Sequence, residues 1–311
     1  MTCDGSITVA AIVPGGTGRG TPMDRSMGLE TISARMDHPV APPAVRVVRP
    51  RRALELGLNA ELWGYRDLLW VLAARDVRVR YKQTLLGAAW ALLQPLMMML
   101  VLTVLMGRVL GVERMSDPVY VFAGVLPWTF FAALVTAASA SLVNNAHIIT
   151  KIYFPRLLLP LASGGAPLVD LAMALVVLGG LMAAYGVAPT TGLLLILPLT
   201  LTIAVTGLAL GVLLAAMTVA YRDLRYVVPF LLQVMFFLSP VLYPLERVPE
   251  SLRWVATMNP MAALIEQFRA AVTGGPVDGA GWSIAAGLSV AGLLASLVYF
   301  GRVERRFADI V

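Results

Sequence analysis

Asp170, in the stretch APLVDLAMALVV, is a carboxyl group set among apolar residues. In such a setting an acid carries a coupling proton, binds a cation, or hydrogen-bonds its neighbours. Proton coupling usually calls on several buried titratable groups, and Asp170 is the main one here, so a structural role is expected. The hydroxyls of Thr200, Thr202 and Thr206 are candidate partners. Group-transfer or hydrolytic chemistry needs convergent acids, histidines or metal-ligand spacings. His38 and His147 are each isolated, so no catalytic residue and no metal site is assigned. The stretch ITVAAIVPGGTGRGT resembles a strand entering a phosphate loop, which needs a lysine after the last glycine. Gly20 is followed by Thr21 and Pro22, so no nucleotide is expected there. The single cysteine, Cys3, supports neither a disulfide framework nor lipid attachment.

The elements that hold these residues are apolar. With 59% hydrophobic and 14% charged residues, the chain of 311 residues is not a water-soluble globule but an integral membrane protein. Its 24 Lys and Arg exceed its 18 Asp and Glu, yet they lie in loops between apolar runs, so nucleic acid is not expected as a partner.

A helix crossing about 30 Å of hydrocarbon needs about 20 apolar residues. The runs Leu85 to Gly107, Tyr120 to Val143, Leu157 to Ala184, Gly192 to Ala220, Val227 to Tyr243 and Trp282 to Phe300 qualify, which predicts an all-α membrane protein with six transmembrane helices. An even number of spans puts both termini on one side. That side gathers Arg66, Arg75, Arg78, Arg80, Lys82, Lys151, Arg156, Arg222, Arg225, Arg302, Arg305 and Arg306, which makes it cytoplasmic. On the other side Arg108, Arg114, Arg247, Arg253 and Arg269 are interspersed with acids.

Four regions follow. Residues 1–53, rich in Gly, Pro, Thr and Arg, read as a disordered tail, and the true start codon is open between Met1, Met27 and Met36. Residues 54–84 form a cytoplasmic amphipathic interface helix and basic arm, with Leu58, Leu62, Tyr65, Leu69 and Leu72 on one face and Trp63 and Trp70 suited to the headgroup layer. Arg75, Arg78, Arg80 and Lys82 then meet lipid phosphates. Residues 85–301 hold the six spans and 302–311 a cytoplasmic C-terminal tail. Between spans five and six, residues 244–281 are too apolar for a free loop and are broken at Asn259 and Pro260. They read as two short helices, VPESLRWVATM and NPMAALIEQFRAAVT, in a re-entrant external segment.

The island NNAHIITKIYFPR, residues 144–156, lies between spans two and three. Asn144 and Asn145 can cap a short helix and Pro155 can end it. Ile148, Ile149, Ile152, Tyr153 and Phe154 would then be exposed to the cytosol, where a partner protein covers them most economically. The flat C–H faces of pyranose rings pack on aromatic side chains, and Trp128, Phe130, Phe131, Phe236, Phe237 and Tyr243 are the candidates for such a surface.

Four stretches, RVRYKQTLLGAAWALLQP (78–95), FAGVLPWTFFAALVTAASASLVNNAHIITKIYFPRLLLP (122–160), AYRDLRYVVPFLLQVMFFLSPVLYP (220–244) and NPMAALIEQFR (259–269), stand in one order and spacing. Through them the chain resembles the membrane subunits of type-2 ABC transporters that export O-antigen, capsule and teichoic acid polysaccharides. The resemblance implies a homodimeric, channel-forming permease in the bacterial inner membrane, driven by two copies of a separate ABC ATPase. ATP and Mg would be held there and no cofactor on this chain. It implies that Asn144, Asn145, Ile148, Ile149, Lys151, Ile152, Tyr153, Phe154, Pro155 and Arg156 form the ATPase-coupling helix. It also implies that the break at Asn259 and Pro260, with Glu266 and Arg269, belongs to an external gate. In such a permease the basic arm would lie beside the cytoplasmic entrance, where Arg75, Arg78, Arg80 and Lys82 are expected to attract the pyrophosphate of a lipid-linked polysaccharide. The alternative reading is a proton-coupled secondary transporter using Asp170.

Overall fold

The computed structural model describes residues 64–82, 88–151, 154–221, 223–245, 249, 251 and 258–304. The expectations for 1–53, Leu58, Leu62, Trp63, Ile152, Tyr153, Arg222, Arg247, Arg305, Arg306 and most of VPESLRWVATM lie outside the described residues. Among the described residues all regular structure is helical.

Helix α1, Arg66–Lys82, carries Asp67 in its first turn and Arg80 and Lys82 in its last, each matching the sign of the nearer helix end. Helix α2, Ala88–Leu102, widens into a π-helical stretch at Thr103–Val109. Gly107 permits this close return, because a Cβ there would stand 2.7 Å from the Met115 carbonyl oxygen. After a short 3₁₀ turn at Glu113–Ser116, α3 runs from Pro118 to Asn144. It starts two residues ahead of the expected Tyr120, with Pro118 in its first turn and the Asp117 side chain accepting from the Val119 N–H at 2.9 Å.

Helix α3 is the hub, with 72% of its apolar window buried against 22–33% for the other long apolar helices. Its closest neighbour is α7, Ile196–Ala220, which meets it through glycines: a Cβ on Gly207 would press on Leu134, and one on Gly211 on Ala138. Helix α10, Gly279–Val303, starts with Asp278 accepting from Ala280 N–H at 3.0 Å and packs along α7.

The third expected span is broken into α5, Leu158–Ala162, and α6, Gly165–Ala184. Pro167 lacks an N–H and its ring opposes the carbonyl four residues earlier, at Ser163, where the helix breaks. The fifth expected span differs more. Among the described residues five helices are long and apolar enough to cross a membrane, whereas Val227 to Tyr243 is replaced by α8, Leu224–Leu238, of 15 residues. Pro240 pushes its predecessor out of the helical region, and Ser239 is accordingly extended at φ −93°, ψ 147°.

Between α8 and α10 lies α9, Pro260–Thr273. Met261, Ala262, Leu264, Ile265, Phe268, Ala271 and Val272 are buried, and α9 packs on α3, α7 and α10 rather than on solvent. It ends at Gly274, whose φ of +76° suits glycine.

Candidate functional site

Three groups of polar side chains interrupt the apolar packing. The first lies where α3, α7 and α10 begin. Asn259 caps α9, its Oδ1 accepting from Met261 N–H at 3.0 Å while its Nδ2 donates to Ser239 Oγ at 2.9 Å. Arg269 is wholly buried. Its Nη1 donates to the Pro240 carbonyl at 2.7 Å and to Glu266 at 2.9 Å, and its Nη2 to the Val241 carbonyl at 3.0 Å. The guanidinium carbon sits 4.5 Å from the Tyr120 ring centroid, a cation–π contact. The chain beyond α8 thus gives its carbonyls to an arginine of α9, and Gly124 of α3 leaves room for it. Asn259, Pro260, Glu266 and Arg269 are brought together as a unit. Tyr120, Gly124 and Ser239 join them, beyond what the sequence reading assigns. A glycine inside the run VFAGVLPW is the available signal, since glycine there marks a close approach.

The second group lies where α3 ends. Asn145 joins α3 to the single-turn helix α4, Ala146–Ile149. It is 9% exposed and spends both amide ends internally: Nδ2 donates to the Ser141 carbonyl at 2.8 Å, and Oδ1 accepts from Arg75 Nη2 at 2.7 Å. Phe154 is buried, in a cluster with Leu72, Leu142, Leu157, Leu158 and Leu159, against which Ile148 and Ile149 pack half-buried. Ile148, Ile149 and Phe154 therefore turn inward, while Asn144, His147, Thr150 and Lys151 face out. Pro155 lies half-buried ahead of α5, and the helix has already ended at Ile149. The Arg156 N–H donates to Glu304 at the end of α10, at 3.2 Å.

The third group answers the question of Asp170. Its partners are neither Thr200, Thr202 nor Thr206. Thr206 pairs with Ser289 at 2.6 Å, and Thr202 accepts from Trp282 at 3.2 Å. Asp170 instead forms an ion pair with Arg80 at 2.7 Å and accepts from the Tyr81 hydroxyl. Burial, reinforced by that hydrogen bond to a carboxylate, pushes the Tyr81 hydroxyl up to about 12. Arg75 pairs with Asp76 at 2.8 Å as well as with Asn145. Arg78 and Lys82 are exposed, Arg78 donating only to the Ala74 carbonyl of its own helix at 3.2 Å among the described contacts.

The aromatic candidates separate by burial. Phe130 and Phe131 fill the core at 3% and 1% exposure. Trp128 packs on Phe131 at 5.5 Å and on Phe236 at 5.7 Å, and Phe236 on Phe237 at 5.7 Å. The series ends at an open groove lined by Met98, Trp128, Leu232, Gln233, Phe236 and Phe237. Tyr243 is half-buried and donates to the Phe237 carbonyl at 3.3 Å.

Comparison with known proteins places this architecture. Residues 67–273 match the family model described as ABC-2 type transporter. The chain is 35% identical over 216 residues to the O-antigen export system permease protein RfbA of Myxococcus xanthus, covering 68% of this chain and 83% of that protein. It is 27% identical over 246 residues to the protein of the same name from Klebsiella pneumoniae, covering 79% and 95%. It is also 24% identical over 213 residues to the polysialic acid transport protein KpsM of Escherichia coli, covering 67% and 81%. With a match that takes in Arg75, Asn145, Asp170, Asn259 and Arg269, the chain belongs to the ABC-2 type transporter membrane family.

Proposed function

We propose that this chain is the transmembrane subunit of an ATP-driven exporter that carries a lipid-linked polysaccharide across the bacterial cytoplasmic membrane. The observation that carries the reading is the family match over 67–273, together with relatives named for O-antigen export and polysialic acid transport. Two copies of the chain pair to form the channel, and two copies of a separate ABC ATPase hold ATP and Mg. Both termini face the cytoplasm, following the distribution of Lys and Arg.

The segment 144–156 receives the ATPase through its outward side chains Asn144, His147, Thr150 and Lys151. Arg78 and Lys82, exposed on α1, attract the phosphates of lipid headgroups and of the lipid-linked substrate at the cytoplasmic entrance, with α1 at the membrane interface. Trp128, Phe236 and Phe237 offer stacking faces to the passing sugars. The Asn259–Arg269 unit, re-entrant into the outer leaflet, forms the external gate. An Asp170 already tied to Arg80 and Tyr81 supplies a structural bond, which weakens the proton-coupled alternative.

Inverted membrane vesicles carrying the chain and its ATPase test the reading. ATP-dependent transfer of lipid-linked glycan into the vesicle lumen, measured as protection from added glycosidase, is the expected result. Transfer that needs no ATP and collapses with a protonophore would overturn it.

A further inference from the structure

We infer that α1 is a transmission arm, and that Arg75 and Asp170 are positioning residues that carry motion from the 144–156 segment to the third span. The inference rests on the reading that this segment receives the ATPase. Asn145 sits at the hinge between α3 and α4, and with its Nδ2 spent on Ser141 and its Oδ1 on Arg75 it is turned toward the protein rather than toward a partner. A displacement of α4 therefore reaches Arg75 through a charge-assisted hydrogen bond, the stronger class of such bonds.

Helix α1 is well built to pass that displacement on. Leu72 is locked into the cluster of Leu142, Phe154 and Leu158, and a Cβ on Gly165 would stand 3.0 Å from that of Ala73, so α1 lies directly on the start of α6. Arg80 and Tyr81 lie about 7–9 Å further along the same helix axis, at 1.5 Å per residue. There they hold Asp170, a carboxylate in an otherwise apolar helix whose release into hydrocarbon without a partner is costly. One continuous helix is thus pinned by polar bonds to the hinge at its middle and to α6 in its last turn. Apolar contacts alone would let α1 slide, whereas an ion pair and a hydroxyl bond set one register.

The test uses the complex of this chain with its ATPase, reconstituted in vesicles, and reads assembly, ATP hydrolysis and glycan export together. In Arg75→Gln and in Asp170→Asn the ATPase stays bound and hydrolyses ATP, while export per ATP falls about ten-fold, in the range of coupling between sites. Arg75→Lys, which restores a charged donor, recovers part of the loss. The exchanged pair Arg80→Asp with Asp170→Arg recovers export beyond either single change, which general destabilisation does not predict. Unchanged export per ATP in both single variants overturns the inference. Should Arg75→Gln fail to accumulate, Arg80→Gln, altering a side chain that is 44% exposed, gives the same readout with the same two decisive outcomes. A wild-type chain that never retains an ATPase refutes the function proposed above instead, so the two failures are distinct.

Discussion

Gly124 of α3 and the guanidinium of Arg269 on α9 share one space: a Cβ on Gly124 would stand 2.6 Å from Arg269 Cζ. The arginine cannot retreat without leaving the carbonyls of Pro240 and Val241, which it holds at 2.7 and 3.0 Å. Gly124→Ala is therefore expected to destabilise the protein by about 1–3 kcal/mol, the usual cost of overpacking a filled interior. Thermal unfolding of detergent-solubilised protein measures it. Combined with Arg269→Ala, the glycine substitution should cost far less than it does alone, because the two residues contact one another.

Arg269→Lys keeps the charge but loses the planar fork that serves Glu266 and two carbonyls at once. A loss of about 2 kcal/mol is expected, because a buried acceptor left without its donor retains its desolvation penalty. A lysine variant that unfolds at the wild-type temperature would show that the fork is dispensable.

Asn259 holds two elements together, capping α9 and reaching Ser239 at the end of α8. Asn259→Ala should cost about 1–2 kcal/mol, and Asn259→Asp, which keeps the cap acceptor but loses the amide donor to Ser239, about half of that. The same unfolding series reads both.

How much of this was readable from sequence follows from which signals are local. The break at Asn259 and Pro260 marked the start of α9, because caps are made within a few residues, whereas apolar run length alone put the start of α3 at Tyr120, two residues past the Asp117–Pro118 cap. Apolar run length found the long helices. It overran α8, whose stop at Leu238 depends on Pro240 acting against an apolar background. The partners of Asp170 were out of reach, since Arg80 and Tyr81 lie some 90 residues away and no local pattern links them. Ile148 and Phe154 were expected to face the cytosol, yet they pack into a cluster with Leu72 of α1, Leu158 of α5, Val212 of α7 and Phe300 of α10, which only the fold brings together.

Tyr81 makes a signature at alkaline pH. Its hydroxyl is raised from 10.0 to about 12, so the folded protein keeps the proton that the unfolded chain releases. Its contribution is fully present below pH 10 and is lost as the pH rises toward 12. Wild-type thermal stability should fall through that window, and Tyr81→Phe should fall less steeply, which melting curves across the window would resolve.

Phe237 is 57% exposed at the mouth of the aromatic groove, so Phe237→Ala should change stability by less than about 0.5 kcal/mol. On the proposed function, export in the vesicle assay should nonetheless slow, because the groove would lose a stacking face for sugar. Trp128→Ala, at 6% exposure, should lower both, by about 3 kcal/mol in stability. Equal export by wild type and Phe237→Ala would remove the groove from the sugar path.

The most direct measurement is the mass of the intact complex, purified from membranes expressing the chain with its neighbouring genes and weighed by native mass spectrometry. Two copies of the 33.3 kDa chain with two copies of a nucleotide-binding protein are expected, and the ATPase should dissociate when the outward residues His147 and Lys151 are both changed to Glu. A monomer or homodimer that never carries an ATPase, under conditions where the chain is folded, would contradict the permease reading.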